Sequence, residues 1–202
     1  MSKVVFAISM SLDGFVAGPN DNPENPLGDG GQTLFKWYFS GDTEIKVTGG
    51  PTLKMSSRSA KVFQEGIESI GAMVCGRRMF DIAGGWGGTP PGSPCFVVTH
   101  TVPQEWVKED SPFIFVTDGV ESAIAQAKAF VGDKSVAVSS ANIAQQCIKA
   151  GLLDEIHIHV TPVLLGGGVR MFENLGDVPI ALEPIHVIEG DGVAHLGYRI
   201  IK

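Results

Sequence analysis

The residues best suited to hold an anion are Gly76-Arg77-Arg78. They follow a short apolar run, Ala72-Met73-Val74-Cys75, and open the stretch Met79-Phe80-Asp81-Ile82. A strand that ends on glycine and turns into a helix lets backbone approach a ligand. Guanidinium groups beside it add planar, bidentate charge, so the set makes a phosphate seat. The plainer reading is two solvated arginines after a turn. Ser139-Ser140 is a second such place. It lies between Val136-Ala137-Val138 and a helical stripe of Ile143, Ala144, Cys147 and Ile148. Either serine can accept from a free N–H and cap the helix. If the strands at 136–138 and 155–163 are parallel, this turn sits at the carboxyl edge of the sheet, where ligands bind in open α/β folds.

Other side chains offer weaker chemistry. Asp13, after the first strand, and Asp81, early in a short helix, are the candidate acid–base carboxylates, and both positions equally suit a turn or a cap. His157 and His159 alternate on one strand face, as the first two ligands of a zinc site would. No third ligand stands at a fixed spacing, so a polar sheet face or a subunit contact is expected and no metal. The aromatic stretch at 33–39 supplies Phe35, Trp37 and Tyr38, which read as core, as the wall of a pocket for a flat ring, or as both. Gly166-Gly167-Gly168 can bring backbone close to a ligand. The sequence has no GxGxxG after a strand, no Walker A motif, no GxSxG and no HExxH.

The elements that must position these residues alternate. Apolar runs at 3–10, 72–75, 94–99, 113–117, 136–138 and 155–163 read as strands. Amphipathic stretches at 56–71 and 120–131, and the one after Ser140, read as helices. Residues 185–189 and 193–201 read as an antiparallel hairpin around Gly190-Asp191-Gly192. Residues 19–32 and 84–92 are Gly/Pro-rich loops. Gly151 supplies a left-handed helix stop. This is an α/β pattern, a mostly parallel sheet finished by an antiparallel edge, and 202 residues with no internal linker suggest one domain spanning 1–202.

Composition narrows the function classes. The net charge of −7 argues against a nucleic-acid binder. No apolar run reaches the roughly 18–20 residues of a membrane helix. The start, residues 1–18, reads as a first strand and a turn rather than a signal peptide. Cys75, Cys95 and Cys147 are odd in number and form no CxxC, as expected of buried reduced thiols in a cytoplasmic protein.

Taken together, four strand ends resemble a known family. They are Ser11-Leu12-Asp13-Gly14, Gly76-Arg77-Arg78, Val98-Thr99-His100, and Gly151-Leu152-Leu153-Asp154-Glu155 leading into Pro162-Val163-Leu164-Leu165-Gly166-Gly167-Gly168. The chain is similar to the dihydrofolate-reductase-like group that includes the reductase domain of the bacterial bifunctional riboflavin-biosynthesis deaminase–reductase, and most to its stand-alone members. The resemblance covers almost the whole chain. It implies an NADPH-binding fold with a central sheet of about eight strands and helices on both faces.

Carried over, Gly76, Arg77 and Arg78 would hold cofactor phosphates, and Thr99 and His100 would sit near the 2′-phosphate. Ser139, Ser140, Ala141, Asn142, Ile143 and Ala144 would meet the pyrophosphate. Ser9 and Val16 would flank the nicotinamide. The substrate, a flat heterocycle such as a pterin or a ribosylaminopyrimidine, would lie against Asp13, the catalytic candidate, and against Phe35, Trp37, Leu165 and Gly166. The family often has Gly-Gly where this chain has Ser139-Ser140. The turn is expected to form still, with hydroxyls in place of glycine's freedom. The resemblance implies a cytoplasmic homodimeric NADPH-dependent reductase, and the alternative is a ligand-binding module that keeps the fold without turnover.

Overall fold

A computed structural model describes residues 2–47 and 50–202. In chain order it contains β1 (Val4–Ser11), β2 (Phe15–Ala17), a 3-10 segment (Gly31–Phe39), β3 (Thr43–Lys46), β4 (Thr52–Met55), α1 (Ser57–Ser69), β5 (Ile70–Gly76) and α2 (Arg77–Ile82). Then follow β6 (Cys95–Val98), β7 (Phe113–Val116), α3 (Val120–Val131), β8 (Ser135–Val138), α4 (Ala141–Lys149), β9 (Glu155–Thr161), β10 (Val169–Arg170), β11 (Leu182–Gly190) and β12 (Val193–Ile200).

Eight strands form one sheet in the order β11-β12-β9-β1-β8-β5-β6-β7. From β9 to β7 all pairings are parallel, while β12 and β11 run antiparallel as a hairpin. This is the expected mostly parallel sheet with an antiparallel edge. Strand alternation sorts the two faces. Val4 and Phe6 of β1 join Val74, Val136, Val138, Ile156 and Ile158 in a core under α3 and α4. The opposite face carries two smaller clusters, one under α2 around Phe80, Cys75 and Val97, the other around Trp37, Leu53, Met55 and Ala60.

Helix α4 shows why packing decides. Nine residues are too few for a helix that is stable alone in water. Its stripe of Ile143, Ala144, Cys147 and Ile148 is buried, and each isoleucine side chain so covered contributes about 1.5–3 kcal/mol. Gly151, at φ +66°, ends the turn as expected.

Helix α1 is shorter and shallower than its sequence stripe suggests. Ser56 caps it, accepting from the Ser59 N–H. Only Ser59 and Ala60 are buried, Ile67 is 45% exposed, and Ile70 and Gly71 belong to β5. Strands β2, β3, β4 and β10, two to four residues each, fall where no strand is assigned from the sequence. Strand β9 stops at Thr161, before Pro162.

Candidate functional site

The carboxyl ends of β8, β5 and β6 lie side by side and carry the anion-binding candidates. The Gly76 N–H donates to Ser140 Oγ at 3.1 Å. Arg77 Nη1 donates to the Thr101 carbonyl at 2.8 Å, and Arg77 Nε pairs with Asp81 at 2.7 Å. Thr99 Oγ1 donates to the same Thr101 carbonyl at 2.8 Å, and exposed His100 lies between them in the chain. One polar rim thus runs Ser140, Gly76, Arg77, Thr101. Asp81 serves here as the i,i+4 partner of Arg77.

Ser140 has φ −155° and ψ 143°, an extended conformation open to any residue. The serine pair therefore does not strain this turn. Its hydroxyl is turned to Gly76 and makes no cap bond to its own helix. The first-turn N–H groups of α4, around Ala141, Asn142 and Ile143, are left without a side-chain cap, the arrangement that suits a phosphate.

Arg78 points the other way, toward residues 18–31. Its guanidinium grips the Asp21 carboxylate through both terminal nitrogens and also donates to the Asp21 carbonyl at 3.1 Å. The same loop is tied internally, Asp29 accepting from Asn20 at 2.7 Å and from Asn25 at 3.0 Å. A carboxylate held in the arginine fork has the geometry a phosphate would use.

Asp13, the catalytic candidate, clamps a loop in this structure. Its carboxylate accepts from the N–H groups of Leu165 at 3.1 Å and Gly166 at 2.7 Å, so these two residues meet Asp13 rather than open space. The Ser11 hydroxyl first, then the Gly166 and Leu165 N–H groups, hold its carboxyl down at about 2, so it has no proton to give near neutrality. Gly168 completes the junction. A Cβ there would fall 2.0 Å from the Ala17 carbonyl, at a φ of +121°. The depressed pKa carries a pH signature. The stabilisation is full above the ordinary value near 3.8 and is lost as pH falls toward about 2. Asp13→Asn should therefore melt below wild type at neutral pH, with the gap closing in strong acid. A gap independent of pH would remove the carboxylate's role.

One face of the sheet is open at a single row. Ala7 lies in the interior of β1, between β9 and β8, yet is exposed. Its cross-strand neighbour is His157, half-buried, and Gly197 and His186 continue that row. One row toward the carboxyl edge, Ser9, His159, His195 and Ile188 pair across four strands. Trp37 roofs this second row, its Nε1–H donating to Ser9 Oγ at 3.0 Å. Trp37 is 2% exposed and Ser9 1%, so both are sealed. Trp37 belongs to the core cluster on this face, with Ser9 directly beneath it. Phe35 is half-buried, its ring 5.5 Å from that of Tyr38, and Val16 packs partly buried on the main core. Burial, offset by the Ser9 hydroxyl, pushes the Tyr38 hydroxyl up to about 12.

The histidines pair with each other and with polar neighbours. His195 Nδ1 and His159 Nδ1 are 2.9 Å apart, and His195 Nε2 is 2.9 Å from Ser59 Oγ. His157 Nε2 lies 3.3 Å from Glu155. Among the described residues no three side chains gather as a metal site. Cys75 and Cys95, 3.7 Å apart, are sealed in the core, where the Cys75 thiol and burial raise the Cys95 pKa and keep it inert.

Ala7, Asp21, Ser59, Thr101 and His195 were not singled out by the sequence. The small residues at alternate positions of β1, namely Ala7, Ser9 and Ser11, were the readable signal for a face with space above it.

The model of one protein family, the RibD C-terminal domain, matches residues 2–195. The chain belongs to that family. A solved structure from Shewanella sp. PV-4, assigned to riboflavin biosynthesis, superposes with a TM-score of 0.69 at 25% identity, each chain being covered in full. Acinetobacter baumannii RibD gives a TM-score of 0.64 at 13% identity, with 100% of this chain and 59% of that longer one covered. Enterococcus faecalis dihydrofolate reductase, solved with NADP(H) and RAB-propyl, gives a TM-score of 0.53 at 15% identity over 99% of this chain and 97% of that one. The RibD C-terminal domain fold seen here is thus dihydrofolate-reductase-like. No curated protein sequence gives a significant match.

Proposed function

We propose that this RibD C-terminal domain protein is an NADPH-dependent reductase of a flat heterocycle, a pterin or a ribosylaminopyrimidine. The observation that carries the reading is the continuous rim from Ser140 through Gly76 and Arg77 to Thr101. It runs beside the uncapped start of α4, on the sheet that also carries exposed Ala7. The residues present fit the cofactor. The N–H groups of Ala141, Asn142 and Ile143 would take the pyrophosphate, with Ser139, Ser140 and Gly76 at its side. Arg77, Thr99 and His100 would take the 2′-phosphate, and Arg78 a phosphate in exchange for Asp21. Bound there, the cofactor supplies a hydride. The chain contributes position, charge and exclusion of water. The heterocycle would lie over Ala7 between His157 and Ser139.

The substrate and the hydride role stand or fall on turnover. NADPH absorbance should fall when the protein meets 7,8-dihydropterin or 5-amino-6-(5-phosphoribosylamino)uracil. Tight NADPH binding with no loss of absorbance on either substrate would favour a binding module. The Asp21–Arg78 contact is the observation that speaks for this second reading, because it already fills an arginine that a cofactor would need.

The reading includes a cytoplasmic homodimer. Its buried free thiols suit a reducing compartment. None of the described helices is long and apolar enough to cross a membrane. The edge strand β11 leaves Leu182 41%, Ile185 41% and Val187 69% exposed, an apolar edge that a second copy would cover. Sedimentation should give twice the 21.4 kDa chain mass. A monomer at micromolar concentration would end the dimer proposal.

A further inference from the structure

Residues 18–31 form a loop that holds itself together. The Gly18 N–H donates to the Leu27 carbonyl at 2.8 Å and the Asp29 N–H to the Pro19 carbonyl at 2.7 Å, which closes its base. Asn22 Oδ1 accepts from the Glu24 N–H at 2.9 Å and the Asn25 N–H at 3.0 Å, which turns its tip. The Asp29 carboxylate gathers Asn20 and Asn25 from either side. A Cβ on Gly28, at φ +68°, would fall 2.1 Å from the Gly18 carbonyl oxygen, so the two ends of the loop are pressed together. A loop whose ends meet and whose polar groups are satisfied within it can swing as one body.

One contact ties that body down. Among the described residues, the only hydrogen bonds that residues 19–29 make outside the loop are those of Asp21 with Arg78. Arg78 stands on α2, at the carboxyl end of β5, whereas the loop is rooted after β1 and β2. Strand β8 lies between β1 and β5 in the sheet. The Asp21–Arg78 contact therefore joins the two sides of the Ser139-Ser140 turn at the end of β8.

The contact is lopsided. The Arg78 side chain is 65% exposed and the Asp21 side chain 14%. An anion can reach the guanidinium from solvent, yet Asp21 cannot lose its partner and stay in place. A carboxylate so covered, left without its cation, would be a buried charge with nothing to pair it, and it moves to water instead. Asp21 is carried by a loop stitched into one piece, so its departure moves the loop.

We propose that Asp21 is a catch that holds loop 18–31 as a strap across the Ser139-Ser140 turn, and that a phosphate group taken up by Arg78 releases it. The two anions compete for one arginine fork. A phosphate offers a third oxygen and, when terminal, a second charge, so it can displace a carboxylate. The identity of the ligand, a dinucleotide phosphate, rests on the reductase reading. The strap adds that cofactor binding and loop release are one step. The step is an exchange of ion pairs, with no covalent change. With the catch on, the turn is accessible only for the fraction of time that the loop is released, and the on-rate falls by that fraction.

Spin labels read the strap directly. Cys75, Cys95 and Cys147 are buried, so labels can be placed on Glu24→Cys at the exposed tip and on Gln126→Cys on the exposed side of α3. We expect one narrow distance between them in the free protein. Inorganic pyrophosphate and NADPH should each shift or broaden it. Asp21→Asn should show that released distribution with nothing bound. In stopped-flow mixing, Asp21→Asn should raise the NADPH on-rate about three- to tenfold. Glu24→Gln removes the same charge from the same loop without touching Arg78, and it should stay within about twofold of wild type, because an exposed charge is screened.

An unchanged distance with NADPH bound, or an Asp21→Asn protein with the wild-type distance and on-rate, would overturn the strap while leaving the reductase reading in place. An equal rise in on-rate for Glu24→Gln would reduce Asp21 to a general charge effect and overturn it as well. If NADPH does not bind, the reductase reading fails, and the pyrophosphate measurement decides the strap by itself. A shifted distance then upholds it, and an unchanged one overturns it.

Discussion

Replacing Arg77 by alanine should lower NADPH affinity about ten- to hundredfold, the loss of a charge-assisted contact worth about 1.5–3 kcal/mol. Arg77 is the member of the basic pair aimed along the rim, at the turn that carries Thr99 and His100. Its loss should weaken NADH binding far less, if its charge reads the 2′-phosphate. Arg78→Ala should also weaken both cofactors, but with a smaller net effect, because the wild-type arginine must first leave Asp21. Asp21→Asn therefore should tighten NADPH binding. In the Arg78–Asp21 pair the arginine side chain is 65% exposed and the Asp21 side chain 14%. Calorimetric titration of the three variants, with thermal melting alongside, separates the outcomes. If Arg77→Ala and Arg78→Ala melt early and bind in proportion to their folded fraction, the pair is structural.

The largest stability effect should come from Trp37→Ala, which removes the roof of the histidine row. Trp37 packs against Tyr38, Phe63, His159 and His195, with ring centroids between 4.4 and 6.2 Å. Truncation of a buried aromatic of this size costs about 3–5 kcal/mol. It would also leave Ser9 Oγ without its indole donor. Against a total stability of about 5–15 kcal/mol, this is a large share. Urea unfolding should show the midpoint falling with little change in slope. A midpoint within error of wild type would mean that Trp37 is loosely seated and free to line a pocket after all.

Much of the fold was readable because its strands and helices have strong local signals. The run Val136-Ala137-Val138, the stripe from Ile143 to Ile148 and the stop at Gly151 all lie where their periodicity places them. Strands β3 and β4 were missed although Ile45, Leu53 and Met55 alternate with polar residues. Four-residue strands give too few repeats to stand out from loop. Stretch 56–71 was read two residues too long, since Ile70 and Gly71 continue an apolar pattern whose period changes from helix to strand at that point.

The site was less legible, for a physical reason. Anion-binding turns announce themselves through local chemistry, and Gly76, Arg77, Thr99 and Ser140 do meet at adjacent strand ends. Cross-sheet partnerships do not announce themselves. His159 and His195 stand 36 positions apart, and Ser59 lies a further 136 from His195. Only strand register brings them together. A turn carboxylate and a catalytic one look alike in sequence, and the two backbone N–H partners of Asp13 lie more than 150 positions away.

Calorimetric titration of the wild-type protein with NADPH and then NADH at fixed salt tests the central claim most directly. The account predicts one NADPH site per chain and binding at least about tenfold weaker for NADH, the factor that about 1.4 kcal/mol at the 2′-phosphate would supply. Equal affinity for the two would contradict the assignment of Arg77, Thr99 and His100 to that phosphate, and no heat from either would contradict the reductase itself.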